Sequence, residues 1–244
     1  MEAHHHPVAA HGKKKQFKEY FLEFLMIFLA VTMGFIAESL REHLSDSSKE
    51  NEYITGTIKN LEVDTAALNF TIKHGNEQMK GIDTLSNIRR DKLADLKVQD
   101  SLYKYSTRYL FTFNPFKSDD ITIIQLRNAG GYRFIRKEGA LDSIAKYESK
   151  INLLDIQEGF LTNRISKSVD VAGTVFDFNA HNKLKLNPSS TPVLVTSDKE
   201  KINNFYNQFF IMSRMVDNYN QMLEDHLKYT ASLIVYLKKT YNVD

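Results

Sequence analysis

From Tyr20 to Ala37 the chain holds 18 residues, of which only Glu23, Thr32 and Gly34 are not apolar. In a helix rising 1.5 Å per residue such a run is about 27 Å long, slightly short of the roughly 30 Å hydrocarbon core of a bilayer. Phe21, Leu22, Phe24, Leu25, Met26, Ile27, Phe28 and Leu29 put apolar side chains on every face of that helix. A core helix of a water-soluble domain usually keeps a polar stripe. A secretory signal peptide ends in a small-x-small cleavage pattern, which Phe35-Ile36-Ala37-Glu38 lacks. The run therefore reads as a retained transmembrane helix over residues 20–37.

Glu23 is the objection, since an acidic side chain at mid-bilayer costs about 2.5–3.5 kcal/mol on insertion scales. It stands one turn inside the run, however, and helical side chains lean toward the N-terminus. Its carboxylate can reach the headgroups beside Lys18. Lys13, Lys14, Lys15 and Lys18 precede the run as a cytoplasmic anchor, and Glu38, Arg41, Glu42 and Asp46 follow it with net negative charge. The positive-inside rule places residues 1–19, a His/Lys-rich tail, in the cytoplasm and residues 38–244 across the membrane, which in a bacterium is the periplasm. One face of the run reads Glu23, Ile27, Ala30, Gly34, Ala37, Arg41 and Leu44. Its small residues permit close helix approach, either to a second copy or to another subunit, and such a partner could also satisfy Glu23.

The rest of the chain has few strong breakers: the whole sequence contains 4 Pro and 10 Gly, which leaves room for long helices. The first helix is expected to continue past Glu38. Ser45-Asp46-Ser47-Ser48 is then either a kink with a new N-cap or the solvated face of an unbroken helix. Ile54, Ile58, Leu61, Leu68 and Ile72 recur as a heptad-like stripe with Thr65 filling one place, and His74-Gly75-Asn76 reads as a stop. A second helix is predicted from Glu77 to Phe113, closed by Asn114-Pro115. Ser118-Asp119-Asp120 is predicted to cap a short helix containing Ile121, Ile124 and Leu126, halted at Gly130-Gly131. Another helix is predicted from Lys137 to near Val169. Residues 171–196 break the pattern; VFDFNAHNKLKLNP partly alternates and suits a small hairpin or a long loop. Ser197-Asp198 should cap a last helix of about 40 residues, carrying Ile202, Phe205, Phe209, Met212, Val216, Tyr219, Leu223, Leu227, Ile234 and Leu237 on one side.

Long helices with one apolar stripe each must bury those stripes against one another. The expected fold is mainly α: one N-terminal transmembrane helix followed by an extended helical bundle with a small irregular or β-hairpin insertion.

FKEYFLEFLMIFLAVTMGFIAESLREHLSD, followed by KENEYITGTIKNLEVD, resembles the start of a family of uncharacterised Bacteroidota proteins. Members have a short basic N-terminus, one hydrophobic segment and a helical domain. LRNAGGYRFIRKEGALDSIAKYE resembles a later stretch of the same family, through Leu126, Gly130, Ile135 and Tyr147. The resemblance implies an inner-membrane protein with a periplasmic helical domain; it brings no activity with it.

Residues that carry chemistry are sparse. Without cysteine the chain has no disulfide, thiolate metal site or Cys nucleophile. His4, His5, His6 and His11 are weak metal candidates, because a tail offers no partners to fix the imidazole rings. His43, His74, His181 and His226 are scattered, and His43 and His226 read as exposed helix residues. No H-E-x-x-H, P-loop, G-x-G-x-x-G or G-x-S-x-G occurs. Arg89-Arg90, and Arg133, Arg136 and Lys137 beside Tyr132 and Phe134, suit a solvated face better than a site for an anion or lipid headgroup. With 32 basic against 30 acidic residues, no global field favours nucleic acid.

No cofactor and no enzymatic activity are therefore expected. The expected function is that of a single-pass, membrane-anchored structural or interaction protein. It would be a homo-oligomer or an accessory subunit of a larger envelope complex, its partners being the bilayer and itself or another membrane protein. The alternative is a periplasmic ligand-sensing helical module that signals through a partner, since a short cytoplasmic tail leaves no room for an output domain.

Overall fold

Three long helices with seams spaced alternately by three and four residues organise the molecule. The computed structural model describes residues 17–180 and 193–243. In chain order the helices are α1 (Phe17–Ser86), α2 (Leu96–Tyr105), α3 (Ile121–Asn128), α4 (Ala140–Gly173) and α5 (Lys199–Tyr241). The chain divides into two compact units, Met1–Glu50 and Asn51–Asp244, and α1 contributes to both. No strand forms among the described residues; Phe176 and Leu194 make an isolated antiparallel bridge. The insertion is thus irregular where it is described, and residues 181–192 lie outside the described residues. The fold is mainly α, as the sequence pattern required.

In the second unit the seam of α1 runs Ile54, Thr57, Leu61, Asp64, Leu68, Thr71, Gly75, Gln78, Ile82, Leu85, all buried except the half-buried Gly75. The seam of α4 is Ala140, Ile144, Tyr147, Ile151, Leu154, Glu158, Leu161, Ile165, Ser168, Ala172, of which Ile151 and Ile165 are half-buried. That of α5 is Phe205, Phe209, Met212, Val216, Tyr219, Leu223, His226, Thr230, Leu233, Leu237, buried throughout. A mean step of 3.5 residues is the spacing that keeps a helical seam facing its neighbours over many turns. It also corrects the expected stripes, since Ile72, Leu227 and Ile234 are only half-buried beside it.

Cross-helix pairs give the directions. Glu62 meets Lys238 at 3.0 Å, Asn76 meets Asn220 at 3.4 Å, and the carbonyl of Ile88 accepts from the Tyr206 hydroxyl at 3.0 Å, so α1 and α5 are antiparallel. On α4, the carbonyl of Ser143 accepts from Tyr229 at 2.9 Å, and Glu158 accepts from Tyr219 at 2.5 Å. Helix α4 is therefore also antiparallel to α5 and parallel to α1. Helices α2 and α3 and their linkers return the chain from the end of α1 to the start of α4.

Several expected boundaries are wrong. His74-Gly75-Asn76 does not stop α1, which passes through it and through Ser45–Ser48 to end at Ser86. Gly75 serves close approach: a Cβ there would lie 2.0 Å from Asn220 Oδ1, and one at Gly81 would lie 2.1 Å from the ring of Tyr109. The predicted helix from Glu77 to Phe113 is accordingly broken. After Ser86 comes a 3₁₀ turn at Arg90–Lys92, then α2, which is capped by Asp95 accepting from Lys97 N at 2.8 Å. A π turn at Ser106–Leu110 closes it, with Phe111 N donating to Ser106 O at 3.1 Å. The buried Gln78 side chain donates to the carbonyls of Tyr109 at 2.9 Å and Thr112 at 2.7 Å, partnering groups that the ending helix frees.

The start of α3 falls where expected, but its cap comes from elsewhere. Asp120 makes no side-chain cap; Asn60 Oδ1 of α1 accepts from Thr122 N at 3.1 Å instead. Gly130, at φ 65°, provides the left-handed turn that stops it. Helix α4 begins at Ala140 rather than Lys137, after Gly139 at φ 75°.

Candidate functional site

The most apolar 18-residue window of α1 is long and apolar enough to cross a membrane, and none of it is buried. Met33 is 68% exposed and Phe35 74%, values at which a large apolar side chain gains nothing from folding in water. Of its polar groups, Thr32 Oγ1 donates to Phe28 O at 2.7 Å, the local bond that lets a hydroxyl sit in an apolar medium. Glu23, Ile27, Ala30, Gly34 and Ala37 are exposed along one face, and a Cβ added at Gly34 would meet no atom within 4 Å. Beyond the run, Arg41 pairs with Glu38 at 2.5 and 2.9 Å. Lys18 is exposed; Lys13, Lys14, Lys15, His4, His5, His6 and His11 lie outside the described residues.

The second unit holds a buried polar layer between two apolar clusters. One cluster includes Ile54, Ile58, Leu61, Ile144, Leu233 and Leu237; the other includes Leu68, Leu154, Leu161, Phe209, Met212 and Leu223. Between them the Asp64 carboxylate accepts from Tyr147 OH, from Ser118 Oγ at 2.8 Å and from Asp119 N at 2.6 Å. One step along the bundle, Tyr219 OH donates to Glu158 Oε1 at 2.5 Å and accepts from Phe116 N at 3.0 Å. Lys117 adds a 3.7 Å ion pair with Glu158. Four consecutive residues, Phe116 to Asp119, are thereby fastened to α1, α4 and α5 together. Burial pushes the Asp64 carboxyl up, its three donors partly offsetting this, and burial pushes the Tyr147 and Tyr219 hydroxyls well above the ordinary phenol value.

His226 sits in this layer rather than on the surface, which corrects the expectation of an exposed helix residue. Its ring stacks on Tyr147 with centroids 4.8 Å apart and meets the edge of Phe116 at 5.9 Å. Neither ring nitrogen has a hydrogen-bond partner. Burial, with Lys150 nearby, lowers its pKa from 6.5 to about 4, so the imidazole is neutral.

Sequence reasoning missed Asp64, Glu158, Tyr219 and His226 as a set. The signal was present: each occupies a three/four seam position where an apolar residue would stand, and a polar residue in a seam needs a partner.

The other candidates disperse. His43 is exposed, and His74 Nδ1 lies 2.9 Å from Phe70 O with its ring against Phe70. His181 lies outside the described residues. No group of three His, Cys, Asp or Glu side chains able to hold a metal occurs among the described residues. Arg89 pairs with Asp91 at 2.5 Å, Arg133 lies over Phe134 at 4.8 Å, and Lys137 over Tyr241 at 5.8 Å. No family model, curated protein or solved structure matches the chain.

Proposed function

We propose that this chain is a single-pass membrane protein whose helical unit serves as a structural or interaction module, as a homo-oligomer or as an accessory subunit of an envelope complex. The carrying observation is the wholly exposed apolar run of α1, whose transfer from water to acyl chains is favourable on every face. Lys13, Lys14, Lys15 and Lys18 before the run and the acidic flank after it support a cytoplasmic N-terminus and a bundle across the membrane. A bacterial inner membrane with a periplasmic bundle is the setting this reading implies.

The interaction part rests on the face bearing Ala30, Gly34 and Ala37, small enough for backbone approach by a second helix. The bundle supplies a rigid body, because its seams and polar layer admit one register. Fractionation tests the anchor: the full chain should stay in the pellet after alkaline carbonate extraction, and recovery in the supernatant overturns the reading. Protease protection of a C-terminal tag in intact spheroplasts overturns the orientation.

A further inference from the structure

A cavity of about 800 Å³ lies in the second unit between the turn after α1 and the first turns of α5, within the size range of small-ligand sites. Its walls include Leu93, Leu194, Val195 and Ile202, and its charged side chains include Arg90 and Lys199. Two observations mark it as built rather than a packing fault. Gln99, itself buried, ties the walls together: its Nε2 donates to Leu93 O at 2.8 Å, while its Oε1 accepts from Val193 N at 3.1 Å and Leu194 N at 3.3 Å. Arg90 is held in place by stacking, its Cζ 4.5 Å over the ring of Tyr206, whose hydroxyl is anchored on Ile88 O.

The charges do not cancel within the cavity. Asp91 also lines it, but Arg89 pairs with that carboxylate at 2.5 and 2.9 Å. Asp198, next to the cavity, is engaged as the α5 cap, accepting from Glu200 N at 2.8 Å. Arg90 and Lys199 have no carboxylate within 4.0 Å among the described residues. An apolar recess with two uncompensated cations at its edge is complementary to one kind of occupant. We infer that the cavity binds an amphipathic anion, an acyl chain carrying a carboxylate or phosphate head. The chain lies on Leu93, Val195 and Ile202, and the head is met by the guanidinium and ammonium groups. No residue of the apolar run of α1 lines the cavity, so its occupant does not depend on whether that run spans a membrane.

The test is photolabelling of the full chain in phosphatidylcholine nanodiscs with dodecanoic acid bearing a terminal diazirine. Labels should map to Leu93–Ala94 and Leu194–Ile202. Excess dodecanoate or dodecyl phosphate should compete, with dodecyltrimethylammonium weaker by about tenfold or more. Arg90→Gln with Lys199→Gln should lower labelling about tenfold while the cooperative thermal transition is kept, lowered only by the loss of the Arg90–Tyr206 stack. Val195→Trp, which fills the recess from an exposed position, should abolish it independently. A second arm places diazirine-bearing phosphatidylglycerol in the disc: labelling from it makes the source a bilayer lipid, labelling from the free acid alone a soluble one. Labels confined to Tyr20–Ala37, equal competition by the cationic amphiphile, or undiminished labelling of both variants would overturn the assignment.

Discussion

Residues 20–37 and 54–85 belong to one uninterrupted helix and use their apolar residues in opposite ways. The first stretch is apolar on all faces and exposed on all faces. The second buries one seam, and four seam positions are the polar Thr57, Asp64, Thr71 and Gln78. Helical backbone is the same in both, so what separates them is where side chains find their solvent. Asp64 and Gln78 in the seam are held by partners from distant parts of the chain, whereas Thr57 Oγ1 is buried there with none among the described residues. In the apolar run, Thr32 uses its own backbone. The contrast separates an apolar surface that this chain leaves uncovered from one packed on its own α4 and α5.

The largest test of that contrast places the same substitution in each stretch. Leu68→Asp puts a carboxylate where the leucine is fully buried, losing about 2–5 kcal/mol of packing and adding an unpaired buried charge. That sum rivals the whole stability of a typical domain, so the bundle should lose its cooperative thermal transition. Leu29→Asp should leave the melt unchanged and weaken membrane insertion by about 2.5–3.5 kcal/mol, seen as increased carbonate extraction. Equal loss of thermal stability in both variants would erase the distinction.

Removing acids sharpens it next. Asp64→Ala strands the Tyr147 hydroxyl, Ser118 Oγ and the Asp119 amide, so denaturant unfolding should show a loss of about 3–5 kcal/mol. Glu23→Gln should leave that unfolding curve in place and make insertion more favourable.

His226, on α5, gives the bundle that packs around residues 54–85 a pH dependence. The unfolded imidazole takes its proton near pH 6.5, whereas the buried one does so only near pH 4, so between these values the unfolded chain binds more protons. Stability is therefore full above about pH 6.5 and falls as pH drops toward 4, by about 3 kcal/mol for one such group. Asp64, with its carboxyl pushed up, acts with the opposite sign above the ordinary carboxylate value. His226→Phe keeps the ring against Tyr147 and should flatten the decline between pH 6.5 and 4. A denaturant midpoint with the same slope in both proteins would remove His226 as its cause.

The apolar run was legible in full because nothing but its own side chains defines it. The bundle was legible only where its seams are apolar. Thr57, Asp64 and Thr71 interrupt the hydrophobic signal of α1, and His226 and Thr230 that of α5, so the stripe slid to neighbours such as Ile72 and Leu227. Boundaries fared worst where another element sets them. Ser86 is followed by no Gly or Pro, and the carbonyl of Ile88 just beyond it is taken by Tyr206, more than a hundred residues away in the chain. The partners of Asp64 could not be read for the same reason: the seam position marks a polar residue that needs a partner, but Tyr147 and the Ser118–Asp119 pair come from two distant segments.

Glycine supplies the smallest and most selective comparison. At Gly75 a Cβ would fall 2.0 Å from Asn220 Oδ1 and 2.7 Å from its Cγ, and Asn220 is itself buried against Asn76. Gly75→Ala gains about 1 kcal/mol of helix propensity but forces that amide aside, an overpacking cost of about 1–3 kcal/mol, so the net should be a loss of about 1 kcal/mol in denaturant unfolding. At Gly34 nothing stands within 4 Å, so Gly34→Leu should leave unfolding unchanged. Its effect should appear instead in oligomeric state, because a leucine on the Ala30–Gly34–Ala37 face keeps a second helix from close approach. Analytical ultracentrifugation in detergent should then show a smaller species than wild type. The same sedimentation for both would detach the small-residue face from assembly, while a shifted unfolding curve would mean that this stretch packs within its own chain.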